Sequence, residues 1–300
     1  KINVKDITQL NIIVGQSGGS GITSMGWPGG GKSNGPRGCG GGLSGIFLEE
    51  GFKIENYNWN HMPTVGGIQS VNNSYRLTLQ KLHTDIPEDS ILIIAGGGGG
   101  GGSFSSSEYY QSTLIGGDAG FEPTEYMYGK SGYNTKLNNN GGPGTLTGGG
   151  HGGIGRFNGQ SGSKFKGGDD SSAYHARYYG KSSSGGGSGY YGGGGASISQ
   201  DPEYRKSAGG GGSSYYRNNL VSPIIAFGNN TDSINTYNYV SHNIPKSTSL
   251  GGTYFTNENN LDYNGGNGYI ILEYSFKKHI DRNLYIKYNP IGYILTYQIQ

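Results

Sequence analysis

Two short stretches of the sequence match motifs of catalytic sites. Residues 26–33 (GWPGGGKS) fit the phosphate-binding pattern GxxxxGK[ST], and residues 15–19 (GQSGG) fit the nucleophile pattern GxSxG. Both motifs need a helix that begins directly after them, because the helix N-terminus holds the phosphates or positions the serine. Glycine and proline follow both stretches and disfavour a helix. We therefore interpret both as chance matches in a glycine-rich chain.

The metal-ligating residue types are not spaced as in a metal site. The chain has one cysteine, Cys39, and six histidines, without an HxH, HxxxH or HExxH pattern. Asp169 and Asp170 have no Asx-rich loop with a closing glutamate around them, so we expect a solvated turn rather than a calcium site. We predict no enzyme, with no catalytic residues, no metal and no cofactor.

Composition and charge exclude further classes of protein. Charged residues make up 14% of the chain and the net charge is +2, which is too low and too balanced for a nucleic-acid-binding protein. The sequence has no run of 18 apolar residues, so we expect no membrane span. A single cysteine rules out a disulfide scaffold.

Tyrosine is unusually frequent, with 25 residues, and several tyrosines form doublets beside glycine blocks. Tyrosine together with glycine, serine and asparagine is typical of recognition loops and of surfaces that stack on sugars. The alternative is that the rings wall the glycine segments and contribute only apolar area. The candidate recognition surface consists of Tyr178, Tyr179, Tyr190, Tyr191, Tyr215 and Tyr216.

Short β-branched and aromatic runs predict a β-framework with hardly any helix. They are residues 7–14, 43–48, 75–82, 91–95, 221–227, 269–274, 284–288 and 293–299. The continuous apolar run Ile91–Ala95 is typical of a strand that is buried on both faces. Near the end of the chain Tyr293, Leu295, Tyr297 and Ile299 share one face. This last strand either caps the sheet or pairs with a neighbouring molecule as an assembly strand.

Glycine accounts for 62 of the 300 residues, and 38 of them lie in residues 96–217. Ordering the glycines at 96–102 costs on the order of 7–14 kcal/mol of backbone entropy, more than hydrogen bonds within that run return. The segment is therefore either disordered or packed laterally against other extended glycine segments. Polyproline-II geometry suits such packing, because it has no internal hydrogen bonds and its backbone groups point outward.

The order of these blocks resembles a known family. The glycine-rich extracellular domain of the anaplastic lymphoma kinase and leukocyte tyrosine kinase receptors is similar to this chain in residues 12–18 (IIVGQSG), 40–47 (GGGLSGIF), 91–104 (ILIIAGGGGGGGSF), 185–197 (GGGSGYYGGGGAS), 208–216 (AGGGGSSYY) and 266–274 (GNGYIILEY). The resemblance spans residues 7–275. Similar domains occur in surface proteins of protists and large viruses, and phage tail-fibre adhesins build similar glycine bundles.

The resemblance implies a jelly-roll-like β-framework, from which long glycine segments emerge as a packed bundle of left-handed polyglycine-II helices. It implies no catalysis. In the receptors this domain serves ligand recognition and dimerisation. The chain shows no kinase domain, no cysteine-rich module and no cytokine-binding signature, so receptor signalling and ligand-contacting residues are not transferred to it.

These inferences together predict a mostly β, sandwich-like protein. A glycine-rich domain covers residues 1–275, with the β-framework at 1–95 and 218–275 and the polyglycine insertion at 96–217. A C-terminal strand pair, for capping or assembly, covers residues 276–300. The expected function is structural, as a rigid spacer or docking block outside a cell, at the cell surface or on a virion, with protein partners or self-association. The alternative is an adhesin-like module that binds a glycan or a protein.

Overall fold

Ten β-strands make up almost all regular secondary structure in the described part of this computed structural model. Residues 9–19, 25–33, 38–49, 51–61, 64–65, 68–69, 75–101, 116–120, 138–170, 183–198, 207–217, 284–289 and 294–299 are described. The strands are β1 (Gln9–Ile13), β2 (Ser44–Leu48), β3 (Ile54–His61), β4 (Thr64–Val65), β5 (Ile68–Gln69), β6 (Tyr75–Leu82), β7 (Ile91–Ala95), β8 (Tyr215–Tyr216), β9 (Leu284–Asn289) and β10 (Ile294–Ile299). A single 3-10 turn, Glu88–Ser90, is the helical element of these residues. The predicted mostly-β class is confirmed.

Six strands form one antiparallel sheet in the order β8-β7-β2-β1-β10-β9. The first strands of the chain therefore meet the last two directly, because β1 pairs with β2 on one side and with β10 on the other. Two further antiparallel pairs, β3 with β6 and β4 with β5, complete the described strands. The predicted C-terminal strand pair is present and continues the main sheet.

Sequence patterning located six of the ten strands, missed β3, β4, β5 and β8, and misjudged the burial of β7. β3 (IENYNWNH) was missed because its polar residues hide the strand pattern. β7 was expected to be buried on both faces, and this is wrong, since Ile93 is 38% exposed. The register between β2 and β7 shifts between Ile46 and Phe47. Beyond that shift β7 alternates in the ordinary way, so only one face contacts the core. The strands predicted at 221–227 and 269–274 lie outside the described residues.

The hydrophobic core draws on both the strands and the glycine-rich zone. Its buried members are Ile13, Leu43, Phe47, Leu82, Ile86, Ile91, Ile94, Phe165 and Tyr190. Most of these side chains belong to the sheet or to the residues before β7, as β-branched and aromatic residues favour. Phe165 and Tyr190 come instead from glycine-rich segments. The glycine zone is thus joined to the sheet through two aromatic rings.

Candidate functional site

Residues 191–198, named here the central segment, donate backbone hydrogen bonds to three other glycine-rich segments. The donors to any one neighbour recur every three residues. The first neighbour accepts at Ser163, Gln160 and Phe157 from Gly192, Gly195 and Ile198. The second accepts at Gly187 and Ser184 from Gly193 and Ala196, and the third accepts at Gly142 and Asn139 from Gly194 and Ser197. Acceptor numbers fall as donor numbers rise, so all three neighbours run antiparallel to the central segment.

The carbonyl groups of the central segment follow the same period. Gly192, Gly195 and Ile198 accept hydrogen bonds from Gly150, Gly153 and Arg156, and Gly194 and Tyr191 accept from Gly210 and Ser213. Gly192, Gly194, Gly195 and Ile198 thus bond one neighbour through the N–H and another through the C=O, whereas both backbone groups of Tyr191 bond to Ser213. Backbone groups that lack a partner within their own segment are satisfied in this way.

Glycines near the start of the chain join the same arrangement. The Gly41 N–H lies 2.9 Å from the Gly98 carbonyl oxygen, and the Gly31 N–H lies 2.8 Å from that of Gly186. Sequence patterning treated the early glycines as connectors and restricted the glycine insertion to residues 96–217. The bonded set, named here the glycine network, comprises residues 15–19, 26–33, 38–42, 96–101, 116–120, 139–170, 183–198 and 207–213.

The network needs glycine because neighbouring backbones approach too closely for a side chain. A Cβ atom on Gly187 would lie 1.9 Å from the Gly97 carbonyl oxygen. An ordinary contact between carbon and oxygen is about 3.3 Å or longer. Two glycines differ, since a Cβ on Gly41 would meet its nearest atoms at 3.5 Å and one on Gly148 would meet nothing within 4 Å.

Buried serine side chains tie specific points of the network together. Ser184 Oγ donates to the Gly101 carbonyl oxygen at 2.9 Å, and Ser188 Oγ donates to that of Phe165 at 2.9 Å. Both serines are fully buried. A serine hydroxyl has a single hydrogen to donate, so each of these contacts links one serine to one carbonyl of another segment.

The phosphate-binding match at residues 26–33 has no helix in its described residues, which form a turn and extended chain. Lys32 is fully buried, and burial lowers the pKa of its amino group to about 7, against the opposing effect of Asp169. The Lys32 N–H donates to Asp169 Oδ1 at 3.0 Å. The lysine therefore points into the protein, where a nucleotide phosphate has no access.

The expectation of a solvated turn at Asp169 and Asp170 is wrong. Both residues are buried, at 8% and 2% exposure. Lys166 Nζ donates to Asp169 Oδ1 at 3.2 Å, and the Asp170 N–H donates to the Lys32 carbonyl oxygen at 2.9 Å. Burial of the Asp169 carboxylate is tolerated because its Oδ1 accepts from the Lys166 ammonium group and from the Lys32 N–H.

Cys39 is buried beside this cluster. Burial raises the pKa of its thiol to about 12, so the thiol stays protonated at neutral pH. A protonated thiol is a poor nucleophile and a poor metal ligand. No group of three or more His, Cys, Asp or Glu side chains that could hold a metal ion occurs in the described ranges.

The predicted recognition tyrosines are placed very differently from one another. Tyr178 and Tyr179 lie outside the described residues. Tyr191, Tyr215 and Tyr216 are half-buried, whereas Tyr190 is only 4% exposed. Tyr190 stacks on Tyr215 with ring centroids 4.5 Å apart. Burial therefore removes Tyr190 from the predicted surface.

Tyr190 also carries a polar contact that the sequence did not indicate. Its hydroxyl donates to Glu88 Oε1, a residue of the 3-10 turn before β7. Burial, and then the hydrogen bond to Glu88, raise the pKa of Tyr190 above its ordinary value. The pKa of Tyr215 is raised as well, again chiefly by burial.

Stability should therefore fall at alkaline pH. The folded-state pKa of Tyr190 lies above the unfolded value of about 10, so its contribution is complete below that pH and is lost as the pH rises. We expect Tyr190→Phe to lower the free energy of unfolding by about 1–2 kcal/mol at neutral pH, because Glu88 loses its donor. The variant should lose less stability than the wild type above pH ~10.

Urea unfolding of both proteins at neutral and alkaline pH measures these effects. Tyr216→Phe is the matched control, since Tyr216 is half-buried and belongs to the same doublet as Tyr215. Equal alkaline losses in Tyr190→Phe and the wild type would show that the pKa of Tyr190 is not raised in the folded protein.

The predicted assembly strand lies inside the main sheet. Leu295, Tyr297 and Ile299 belong to β10, and Tyr293 lies outside the described residues. Leu295 is paired with Ile12 of β1 on one side and with Tyr288 of β9 on the other. The β10 backbone is thus bonded within the chain on both sides, and β9 is the outer strand among those described.

Ser17 of the GxSxG match sits in extended chain, with no helix in residues 14–19. Within the described ranges, no helix is long and apolar enough to cross a membrane.

Comparisons with protein-family models, with curated proteins and with solved structures find no match to this chain. The likeness to the receptor glycine-rich domain therefore stays a prediction from sequence motifs.

Proposed function

We propose that this chain is a non-enzymatic structural or scaffold protein of a cell surface, an extracellular matrix or a virus particle. In this proposal the glycine network is a bundle of left-handed polyglycine-II helices on a jelly-roll-like β-framework, and it acts as a rigid spacer or docking block. The three-residue period of the hydrogen bonds around residues 191–198 carries the proposal. Polyproline-II geometry has three residues per turn and leaves every backbone group available to a neighbour.

Stiffness follows from the number of independent bonds on each segment. The central segment is bonded to segments on several sides, so bending it would break contacts with all of them. Sheets and α-helices need side chains to pack against one another, whereas glycine segments pack through their backbones alone. Such a bundle gives a thin, stiff body with little hydrophobic surface, which suits a spacer exposed to solvent.

A recognition module is the second candidate function. Three half-buried tyrosines, Tyr191, Tyr215 and Tyr216, lie where the glycine network meets β7. Partly exposed tyrosine rings contribute large contact areas at low entropic cost. A glycan array and a pull-down, each with Tyr216→Ala, separate the two functions. Saturable binding that this variant abolishes would favour recognition over a purely structural role.

Hydrogen exchange resolved to single amides tests the structural proposal. We expect the amides of Gly97, Gly99, Gly100 and residues 192–198 to be protected together and to exchange only with global unfolding, because each donates to a carbonyl of another segment. Exchange of these amides at random-coil rates would refute the proposed bundle. Immunogold labelling of the native source then tests the location, since label confined to the cell interior would contradict a surface, matrix or virion protein.

A further inference from the structure

The segment at residues 148–156, named here the edge segment, differs from the central segment in how its donors are satisfied. Gly150, Gly153 and Arg156 donate to backbone carbonyls of the central segment. Ile154 donates to the Asn138 carbonyl. Gly150, Gly153 and Arg156 thus form a row of donors toward the central segment, and Ile154 donates on a second side.

The donors of a third row lie on the solvent-exposed side and are hydrogen-bonded to side chains. The Gly152 N–H donates to Ser161 Oγ at 3.2 Å, and the Gly155 N–H donates to Asn158 Oδ1 at 3.0 Å. Both contacts are exposed, and both side chains belong to exposed residues. At this edge of the network two side-chain oxygens therefore occupy the places that carbonyls of a further segment would take.

An edge of this kind resembles the edge of a β-sheet. Backbone donors repeated at a fixed spacing, here three residues or about 9 Å, form a template on which another chain can bind. Proteins block such edges with side chains or covering loops. Ser161 and Asn158 have the position and the acceptor chemistry to do this.

We propose that Ser161 and Asn158 close this edge of the glycine network against the edge segment of a second copy of the chain. The occupant is a second copy because two edge segments related by a two-fold axis run antiparallel and repeat their backbone groups at the same three-residue spacing. The antiparallel pairing this requires is the commonest one around the central segment. Ile154, which is 60% exposed, adds apolar area on the same segment. The inference rests on the proposed function, since it requires an ordered network.

The double variant Ser161→Ala/Asn158→Ala tests the inference, with Gln160→Ala as the matched control. Gln160 is exposed and lies between the two positions, and its backbone N–H donates to the Asp169 carbonyl. The measurement is amide exchange at Gly152 and Gly155 at low and at high protein concentration, together with mass by light scattering.

We expect these two amides to exchange at least about tenfold faster in the dilute double variant than in the wild type, as the loss of a hydrogen bond predicts. At high concentration their protection should return as a species of twice the monomer mass forms. The control should match the wild type at both concentrations.

Three results would overturn the inference: unchanged exchange in the double variant, fast exchange at every concentration, or association without protection at Gly152 and Gly155. The amides of Gly193 and Gly194 in the wild type distinguish this failure from failure of the proposed function. If those amides are protected, only the closing of the edge is refuted. If they exchange at random-coil rates, the network itself is refuted.

Discussion

A Gly187→Ala variant is expected to lose at least about 3 kcal/mol of stability, the upper end of what overpacking a core usually costs. The added Cβ would lie 1.9 Å from the Gly97 carbonyl oxygen, so the two segments would have to separate by more than an ångström. Neither segment can do so alone. The Gly187 N–H is bonded to Gly210 at 2.8 Å, and its carbonyl accepts from Gly193 at 2.9 Å.

Two alanine substitutions serve as matched controls. Gly148→Ala should leave stability unchanged or raise it by up to about 1 kcal/mol, since alanine restricts the unfolded chain and no atom lies within 4 Å of the new Cβ. Gly41→Ala should also be tolerated, although Gly41 lies inside the network and its N–H is bonded to Gly98. Urea unfolding followed by tyrosine fluorescence gives the three free energies. A Gly187→Ala protein as stable as Gly148→Ala would show that residues 183–189 do not pack against residues 96–101.

The sequence predicted the positions of strands where apolar side chains alternate or form continuous runs. Apolar runs located β1, β2, β6, β7, β9 and β10, because burial of β-branched side chains drives strand pairing in these segments. The same principle failed for β3, in which Asn56, Asn58 and Asn60 leave little apolar pattern. The two catalytic motifs were doubted for lack of a following helix; their own described residues contain no helix, and the residues directly after them lie outside the described ranges.

The partners within the glycine network could not be predicted from sequence. A run of glycines has no side chain to distinguish one alignment from another. A shift by three residues would preserve the backbone bonding pattern. The buried serines remove this ambiguity, since Ser184 and Ser188 each donate to one carbonyl. Their partners, Gly101 and Phe165, are 83 and 23 residues away along the chain, and a single sequence contains no signal for contacts of that range.

Phe165→Ala is expected to lower the free energy of unfolding by about 3–5 kcal/mol, as for other buried phenylalanines. Phe165 is fully buried in the core of the sheet although its neighbours in sequence belong to the glycine network. Its ring meets Tyr190 edge to face with centroids 6.3 Å apart. This side chain, together with Tyr190, therefore joins the network to the sheet, and its loss leaves a cavity between them.

The backbone conformation of Phe165 allows a second test of its environment. Its φ is +59°, a left-handed conformation that costs a non-glycine residue about 1–2 kcal/mol. Phe165→Gly loses the same ring as Phe165→Ala but relieves this strain. We therefore expect the glycine variant to be the more stable of the two by about 1 kcal/mol, the reverse of the usual order.

Phe157→Ala is the control for the ring itself, because Phe157 lies in the same glycine-rich zone but is only half-buried, with Arg156 5.4 Å above its ring centroid. We expect Phe157→Ala to cost about 1 kcal/mol, since less apolar surface is lost.

Denaturant unfolding of all three variants measures these free energies. If Phe165→Ala costs no more than Phe157→Ala, the network is not anchored in the sheet core at this residue. If Phe165→Gly is the less stable variant, the left-handed strain is absent. A large loss of stability in Phe165→Ala, with Phe165→Gly the more stable of the two variants, requires both the buried ring and the strained backbone. The core contacts that join the glycine network to the sheet would then hold Phe165 in its unfavourable conformation.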